Sequence, residues 1–314
     1  MNTSLNRNAD LNQLYDHCME RKNLLLAAAN GMGKTRLLLQ LQEKLVGRRI
    51  CFSVSLRGMV SLQQFTDALI NTVNSVAQNH PNVAYNLKQF FGQHAAPIGH
   101  PEKTELFLTA LANCFEQMAK DFLFVLEDAH EWEVDYPLVD LLYRLAKPKN
   151  SQFLVSSSNT WLAPNDLPKM NLAPLHSENV EAPSLNEETK AELLQFSMGN
   201  AALFMELVEV IEEHQQTLPA CKDILLERYH PTFSSFKSRF TSLQWRLLKA
   251  ISKEEIVPQP HAFDFLVKHR LGAASSIERA IKNLADTGMA RKTDEGWIVS
   301  NPLFNRWLQW VYQT

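Results

Sequence analysis

A glycine-rich stretch that ends in lysine and threonine is the part of this sequence best suited to chemistry. Gly31 and Gly33 allow a turn in which backbone N–H groups point inward around phosphates. Lys34 would reach the β- and γ-phosphates, and the Thr35 hydroxyl would ligate Mg²⁺. We therefore predict that ATP or ADP binds here together with Mg²⁺. The predicted nucleotide-binding residues are Asn30, Gly31, Met32, Gly33, Lys34, Thr35 and Arg36, with Arg7 as a further candidate.

The sequence on either side of this loop supports the prediction. An apolar run precedes it at residues 23–27 and an amphipathic run follows at residues 36–42, which is the strand, loop and helix order of a phosphate-binding loop. The helix would add the positive end of its dipole. Ala28 stands where the pattern G-x-x-x-x-G-K-[ST] has its first glycine. The alternative is a strand, turn and helix that contain Gly and Lys by chance.

Two adjacent acids, Glu127 and Asp128, follow the apolar run 122–126. This pattern predicts a buried parallel strand with carboxylates at its carboxyl end, where α/β sheets bind ligands. We expect Glu127 to hold Mg²⁺ through water, and Asp128 to orient or deprotonate the water that attacks the phosphate. The alternative is that the two acids only cap a buried strand at the surface.

Four other polar residues are weaker candidates. His130 is expected either to sense the γ-phosphate or to be structural. Asn159 is predicted as a catalytic residue that lies, like its neighbour Ser158, at the end of the next strand, between the γ-phosphate and the second acid. The alternative for both is a solvated strand end. Arg7 is expected either near the adenine end of the nucleotide or as a plain surface charge.

The elements that would position these residues can be predicted from periodicity. Apolar runs alternate with helical patterns up to residue 159, which predicts βαβ units and a mostly parallel sheet. Residues 79–103 are expected to be rich in loops, with a short helix around 87–91. The proline-rich residues 160–184 are expected to connect domains, with no further strand until near the end of the sequence. Separate helical patterns cover residues 186–198, 201–214, 219–229 and 231–240.

The last segment has a different character. Residues 241–314 show three helical patterns, two short strand patterns and an aromatic helix at 302–312, which predicts a winged helix-turn-helix. The aromatic helix is expected to pack against the winged helix or to mark a partner surface. The segment holds ten Lys or Arg and seven Asp or Glu, a net charge of +3. Duplex DNA is one predicted partner of the third helix, and protein contacts are the alternative, because a dedicated duplex reader would be more basic. The DNA-binding candidates are Ser275, Ser276, Arg279, Lys282 and Asn283.

Composition places the chain in a broad class. Its 314 residues suffice for two or three domains, and a net charge of −3 argues against a molecule that binds nucleic acid over its whole surface. Four scattered cysteines fit neither a disulfide framework nor a zinc site. No signal-peptide pattern and no apolar run long enough to span a membrane is present in the sequence. We expect a cytoplasmic protein that does not contact a membrane.

Taken in chain order, these motifs resemble the P-loop ATPases of the AAA+/STAND clade, of the archaeal-ATPase kind with a C-terminal winged helix. The resemblance implies a nucleotide-dependent switch with ADP-held and ATP-held forms, coupled to a protein or DNA partner, and a homo-oligomer that depends on nucleotide. The matching segments are residues 6–11 before the loop, 28–35 (Walker A), 52–57 (second strand), 126–130 (a variant Walker B), 199–201 (the lid motif Gly-Asn-Pro, here Gly-Asn-Ala), 271–276 and 301–308.

The predicted fold is α/β: a P-loop sheet of the RecA/AAA+ type at residues 1–170, a helical lid at 171–240 and a winged helix at 241–314. The predicted function is an ATP- and Mg²⁺-binding switch with slow ATP hydrolysis. Two alternatives stay open. One is a DNA-binding regulator or mobile-element accessory ATPase that loads on duplex DNA, and the other is a scaffold with weak hydrolysis in a defence-type complex.

Overall fold

The computed structural model describes residues 3–81, 85, 101–118, 120–158, 167–183, 185–215 and 217–312. Asn159 and the helix expected around 87–91 lie outside these residues. Helices and strands are numbered in chain order. The strands are β1 (Ser4–Leu5), β2 (Leu24–Ala27), β3 (Arg49–Ser55), β4 (Asp121–Glu127), β5 (Ser151–Ser157), β6 (Lys169–Asn171), β7 (Val180–Glu181), β8 (Ala290–Lys292) and β9 (Trp297–Val299). The helices are α1 (Asn8–Met19), α2 (Lys34–Leu45), α3 (Leu62–Gln78), α4 (Pro101–Glu116), α5 (Leu138–Leu145), α6 (Glu187–Ser197), α7 (Ala201–His214), α8 (Leu218–Phe236), α9 (Ser242–Glu254), α10 (Phe263–Lys268), α11 (Ala274–Asp286) and α12 (Pro302–Tyr312).

Two compact units divide the chain. The sheet unit contains Arg7–Ala28 and Gly33–Ala173. The helical unit contains Met1–Asn6, Ala29–Met32 and Pro174–Thr314. The predicted boundaries at residues 170 and 240 remain predictions.

A parallel sheet with the order β3-β4-β5-β2-β6 forms the centre of the sheet unit. The chain leaves β2 for the far edge at β3, returns through β4 to β5, and then crosses β2 to reach β6. Strand order therefore reverses where β2 meets β5, and open α/β sheets bind ligands at the carboxyl ends of their strands beside such a reversal. The strand that precedes the glycine-rich loop and the strand that carries Glu127 are separated in the sheet by β5 alone.

Aromatic packing explains why the sheet takes this register. Phe52 of β3 lies opposite Phe124 of β4, and their ring centroids are 5.2 Å apart. Phe122, two residues earlier on β4, points to the same face and stacks on Phe115 of α4 at 4.2 Å. All four rings are at most 1% exposed. A slip of one residue would turn the phenylalanines of β4 to the opposite face, so this cluster specifies the pairing.

The expectation of no strand within residues 160–184 is wrong. β6 pairs with β2 in parallel, and its ends are fixed because Leu25 N–H donates to the Pro168 carbonyl at 2.9 Å and Leu172 N–H to the Ala27 carbonyl at 3.0 Å. β7 also lies in this segment, where it pairs with β1. Both strands are too short for periodicity to reveal, and prolines at their margins are compatible with edge strands.

The expected break near residue 230 is also wrong, because α8 continues through Pro231. Proline removes one helical hydrogen bond and normally kinks or ends a helix. Here Phe233 and Phe236, beyond the proline, pack on Phe304 of α12 with centroid distances of 5.2 and 5.5 Å. Burial of these rings offsets the lost hydrogen bond, so tertiary packing overrides the local preference.

The end of the chain forms the predicted winged helix. α9, α10 and α11 are followed by the antiparallel pair β8 and β9, and Val257 bridges to Trp297. Gly296 has φ +152°, and a Cβ there would lie 2.7 Å from the Val257 carbonyl oxygen, so the wing turn requires glycine. Phe304 and Trp307 of α12 are at most 1% exposed, which confirms that the aromatic helix packs within this unit. No helix among the described residues is both long and apolar enough to cross a membrane.

Candidate nucleotide-binding site

The loop between β2 and α2 has the backbone that a phosphate loop needs. Gly31 has φ +80° and Gly33 has φ +91°, a region that residues with a Cβ rarely adopt. Gly33 is the N-cap of α2, and its carbonyl accepts the Leu37 N–H at 3.0 Å. The loop therefore turns tightly at the amino end of a helix, where backbone N–H groups and the helix dipole favour an anion.

The substitution of Ala28 for the first glycine costs the loop little. Ala28 does not adopt a positive φ, so its methyl group brings no backbone strain. Its N–H donates to the Ser157 carbonyl at 3.1 Å, which continues the pairing of β2 with β5. Its carbonyl accepts a hydrogen bond from Lys34 Nζ at 2.7 Å. The alanine thus fits the geometry that the pattern assigns to glycine.

Lys34 lies at the first residue of α2 and is only 6% exposed. Burial lowers the pKa of its ammonium group to about 8, and the charge of Asp128 opposes this shift in part. Burial makes a charged ammonium group costly, and nearby negative charge offsets that cost. The site would therefore favour a ligand that brings negative charge to Lys34.

Asp128 terminates β4 in an unusual conformation. Its φ is +59°, and it starts a short 3-10 helix, Ala129–Glu131. Its N–H donates to Ser156 Oγ of β5 at 3.4 Å. Arg57, which follows β3, places Nη2 at 3.2 Å from Asp128 Oδ2 and Nε at 3.7 Å from a Glu131 oxygen. The backbone conformation at Asp128 thus sets the direction of its side chain, and Arg57 partly neutralises its charge.

Glu127 ends β4 opposite Ser55 of β3. Its Oε1 accepts a hydrogen bond from Ser53 Oγ at 3.2 Å, and its side chain is half-buried. The backbone carbonyl of Glu127 accepts the Leu56 N–H at 2.9 Å. The two acids therefore have different surroundings: a serine hydroxyl contacts Glu127, whereas a guanidinium contacts Asp128.

His130 connects the segment that follows β4, which carries Asp128 and Glu131, to the end of β5. Its Nδ1 accepts the Ser158 N–H at 3.3 Å, and its Nε2 lies 3.8 Å from Glu131 Oε1. Burial lowers the pKa of His130, and the nearby charges of Asp128 and Glu131 oppose this shift. Since Nδ1 accepts a hydrogen bond, any proton on a neutral ring is at Nε2.

The outlying candidates have different positions. Arg7 is 7% exposed, donates through Nη1 to Asp10 at 2.9 Å and through Nη2 to the Ala173 carbonyl at 3.0 Å. The alternative that Arg7 is a plain surface charge is therefore wrong. Arg36 and Thr35 are exposed on the first turn of α2, and Met32 of the loop is buried. Asn159 lies outside the described residues.

Two residues of this region were absent from the predicted site. Arg57 could have been found from its position, because it follows a strand that neighbours β4 and parallel strands end at one edge. Asn200 was recognised as part of the lid motif at residues 199–201 but not as a site residue. It is the N-cap of α7: its Oδ1 accepts the Leu203 N–H at 3.1 Å, and its Nδ2 donates to the Asn30 carbonyl at 2.8 Å. The Ala202 N–H also donates to the Gly31 carbonyl at 2.8 Å.

The DNA-binding candidates lie in the winged helix. Each of Ser275, Ser276, Arg279, Lys282 and Asn283 is exposed on α11. The opposite face of α11 is buried in the core of the unit through Ile277, Ala280, Ile281 and Leu284. Within the described part of the chain, neither Arg279 nor Lys282 forms a salt bridge. Both cations are therefore available to an external anion.

Comparison with known proteins identifies the fold. The family described as "Probable winged helix domain" matches residues 231–310. The Walker-type ATPase PABY2304 of Pyrococcus abyssi superposes with a TM-score of 0.67 at 12% identity, over 97% of this chain and 96% of that one. No curated protein sequence matches the chain.

Two more distant structures cover most of the chain with lower scores. ORC1 of Aeropyrum pernix, solved in complex with DNA, has a TM-score of 0.42 at 12% identity over 97% of this chain and 92% of its own. The RuvB Holliday junction branch migration motor of Thermotoga maritima has a TM-score of 0.40 at 10% identity over 93% and 91%. The superposition on the Pyrococcus structure and the winged-helix match together support the fold. The predicted α/β fold, with a parallel sheet and a C-terminal winged helix, is confirmed.

Proposed function

We propose that the chain is an ATP- and Mg²⁺-binding switch of the AAA+/STAND type, with slow ATP hydrolysis, that signals to a protein or DNA partner. The observation that carries the proposal is the loop from Ala28 to Lys34, in which two glycines with positive φ lead to a buried lysine at the amino end of a helix. This combination suits a phosphate ester. We further propose the division into core (1–170), lid (171–240) and winged helix (241–314), and assembly into a homo-oligomer when nucleotide binds. We also propose a cytoplasmic location, consistent with four cysteines that form no disulfide in the described part of the chain.

The residues present fit the proposed nucleotide and metal. Burial lowers the pKa of Lys34, and phosphate oxygens would stabilise its charged form. N–H groups of residues 30–36 would bind the phosphates, with Arg36 as an additional cation and Arg7 at the adenine end. Thr35, and Glu127 through water, would hold Mg²⁺, which when bound neutralises phosphate charge.

The same residues support slow rather than rapid turnover. In the proposed reaction Asp128 orients or deprotonates the attacking water, and Asn159 assists at the γ-phosphate. A carboxylate that Arg57 contacts at 3.2 Å is less free to contact water. Low basal hydrolysis is what a switch requires, because each nucleotide state must last long enough for a partner to read it.

Asn200 supports the proposed coupling. It joins the Asn30 carbonyl of the loop to the first turn of α7 by hydrogen bonds on both of its amide atoms. A change in the loop on binding of the γ-phosphate would alter this contact and shift the start of α7. We propose this as the first step by which nucleotide state reaches the winged helix.

Isothermal titration calorimetry with ATP and Mg²⁺ tests the proposal. Lys34→Ala should abolish ATP binding, because Lys34 provides the buried charge. Lys44→Ala is the matched control: Lys44 lies on the same helix, and its Nζ contacts Asn12 rather than the loop. ATP affinity that is the same for Lys34→Ala and Lys44→Ala would exclude this function. Nucleotide that co-purifies with the wild type without turnover would instead favour the scaffold with weak hydrolysis.

Binding of duplex DNA through α11 is a second proposed function, favoured by the exposure of Arg279 and Lys282. A labelled duplex should bind the wild type at low salt. The double variant Arg279→Ala/Lys282→Ala should reduce the slope of log affinity against log salt by about two, since each lost phosphate contact reduces it by about one. Absence of binding at low salt would exclude this function and leave protein partners.

A further inference from the structure

A basic cavity lies in the helical unit on a side of α9 that the proposed function does not use. Its volume is about 400 Å³, and residues from α9, the end of α10 and α12 line it. The lining residues are Arg246, Lys249, Ala250, Ser252, Lys253, His269, Arg270, Leu308, Gln309 and Tyr312. This volume is enough for a small charged ligand rather than for a water molecule alone.

Positive charge is concentrated in this cavity. Arg246, Lys249 and Lys253 are three and four residues apart, so they share one face of α9, and Arg270 joins them from the end of α10. Of the ten lining residues, all in the described part of the chain, none is Asp or Glu. Like charges at these spacings destabilise a helix, and an anion between them would relieve the repulsion.

The two acids at the end of α9, Glu254 and Glu255, contact other side chains. Glu254 Oε1 accepts from Lys268 at 2.7 Å and lies 2.8 Å from His269 Nε2. Glu255 lies 3.0 Å from Arg306 Nη1. These carboxylates therefore contact Lys268, Arg306 and one lining residue, His269. Neither forms a salt bridge with Arg246, Lys249, Lys253 or Arg270 within the described part of the chain.

The cations of the cavity are partly fixed in place. Arg246 Nη1 donates to the Arg270 carbonyl at 3.2 Å, which ties its guanidinium to the turn after α10. Lys249 Nζ lies 4.6 Å from the ring centroid of Tyr312, a cation–π contact that holds it against α12. A planar guanidinium can bind two phosphate oxygens through a rigid pair of N–H donors, whereas an ammonium group acts as a compact point charge.

We propose that this cavity binds phosphate groups, with Arg246, Lys249, Lys253 and Arg270 as the ligand-binding cations. The ligand chemistry is a multiply charged phosphate, which a free oligophosphate or a nucleic-acid backbone can supply. The site is separate from the DNA-binding candidates on α11 and does not depend on nucleotide binding at Lys34.

Lysine footprinting of the full chain tests the proposal residue by residue. The protein is acetylated briefly, and the extent of modification at each lysine is measured by mass spectrometry with tripolyphosphate, with a short DNA duplex, or with sodium chloride of matched ionic strength. Tripolyphosphate or the duplex should slow the modification of Lys249 and Lys253 severalfold, whereas sodium chloride should not. Lys282 on α11 is the internal control for tripolyphosphate, and Lys34 reports on the phosphate loop separately.

A pair of variants separates the cavity from general charge effects. Arg246→Gln/Arg270→Gln should raise the ligand concentration that gives half-protection of Lys253 by about fivefold or more. Arg279→Gln/Lys282→Gln, with the same loss of charge on α11, should leave it unchanged. Circular dichroism melting verifies that both variants fold.

Protection by tripolyphosphate identifies a free oligophosphate as sufficient, and protection by the duplex alone identifies the nucleic-acid backbone. Either result supports the site. Equal modification of Lys249 and Lys253 with and without both probes, or equal protection in the Arg246→Gln/Arg270→Gln variant, would overturn it. The acetylation of Lys34 is measured in the same experiment. Loss of phosphate binding at the loop can therefore be distinguished from loss of phosphate binding in the cavity.

Discussion

The guanidinium of Arg57 lies 3.2 Å from the carboxylate of Asp128, although the two residues come from the ends of different strands. Arg57 is 69% exposed, whereas Asp128 is only 14% exposed. An exposed pair of this kind contributes about 0–1 kcal/mol to stability. The main effect of Arg57 would therefore be on the chemistry of the Asp128 carboxylate, which it partly neutralises, and not on stability.

Arg57→Ala should raise the rate of ATP hydrolysis severalfold with little change in melting temperature, because Asp128 would be free to act on water. Arg57→Lys keeps the charge and should show a smaller increase. Steady-state phosphate release measures both. Asp128→Asn, alone or with Arg57→Ala, should remove hydrolysis; a rate that falls in Arg57→Ala would mean that the arginine assists the reaction.

Asn200→Asp and Asn200→Ala should separate the two hydrogen bonds of Asn200. The aspartate keeps the acceptor for the Leu203 N–H but loses the donor to the Asn30 carbonyl, whereas alanine loses both. We expect Asn200→Ala to lower the free energy of unfolding by about 1–2 kcal/mol in urea denaturation. Both variants should weaken ATP binding, and equal affinity in Asn200→Asp and the wild type would contradict a role for the donor.

ATP affinity should decrease as the pH rises through about 8, where buried Lys34 loses its proton. The expected limit is about tenfold per pH unit, because only the charged lysine binds phosphate. Calorimetry at several pH values measures it, and an enthalpy that depends on the buffer would report proton uptake. Lys34→Arg stays charged and should remove this dependence.

In the ligand-free protein the sign is opposite. The pKa of Lys34 is about 8 when folded and near its ordinary 10.5 when unfolded. Between these values the unfolded chain binds more protons, so the contribution of Lys34 to stability rises with pH. Urea denaturation of the wild type and of Lys34→Met at pH 7 and pH 9 tests this. From pH 7 to pH 9 the free energy of unfolding of the wild type should rise relative to that of Lys34→Met.

Trp307→Ala should lower the free energy of unfolding of the helical unit by about 3–5 kcal/mol, because it leaves a cavity in the core. Trp307 is 1% exposed, and its Nε1 donates to His230 at 3.1 Å. Trp310 on the same helix is 42% exposed, so Trp310→Ala is a matched control that should change stability much less. Equal effects of the two variants on urea denaturation would contradict the packing of α12.

Long apolar runs were enough to predict most of the fold. β4 and β5 are buried along almost their whole length, and residues 122–126 of β4 and 153–157 of β5 are all apolar or small. β6 was missed because only its central residue, Met170, is buried and three residues carry too little periodicity. The sequence predicted a break in α8 near Pro231. The helix continues because Phe233 packs on Phe304 of α12, and this partner lies about seventy residues away in the sequence.

The candidate site was predicted only in part, for a similar reason. Lys34 and Asp128 belong to local patterns that sequence reveals. The contacts of Asp128 with Arg57 and of Asn30 with Asn200 join segments that are far apart along the chain. Such pairs depend on tertiary structure, and no spacing rule predicts which arginine or asparagine will form them.

The hydrogen bond from Asn200 to the Asn30 carbonyl also determines the direction of an N–H group that Asn200 does not touch. The peptide unit is planar and trans, so the carbonyl of Asn30 and the N–H of Gly31 point in opposite directions. Holding the oxygen toward α7 therefore aims the Gly31 hydrogen away from α7. The side chain of the N-cap residue of α7 can in this way orient the Gly31 N–H of the loop, because the rigid peptide unit links that N–H to the carbonyl that the side chain contacts.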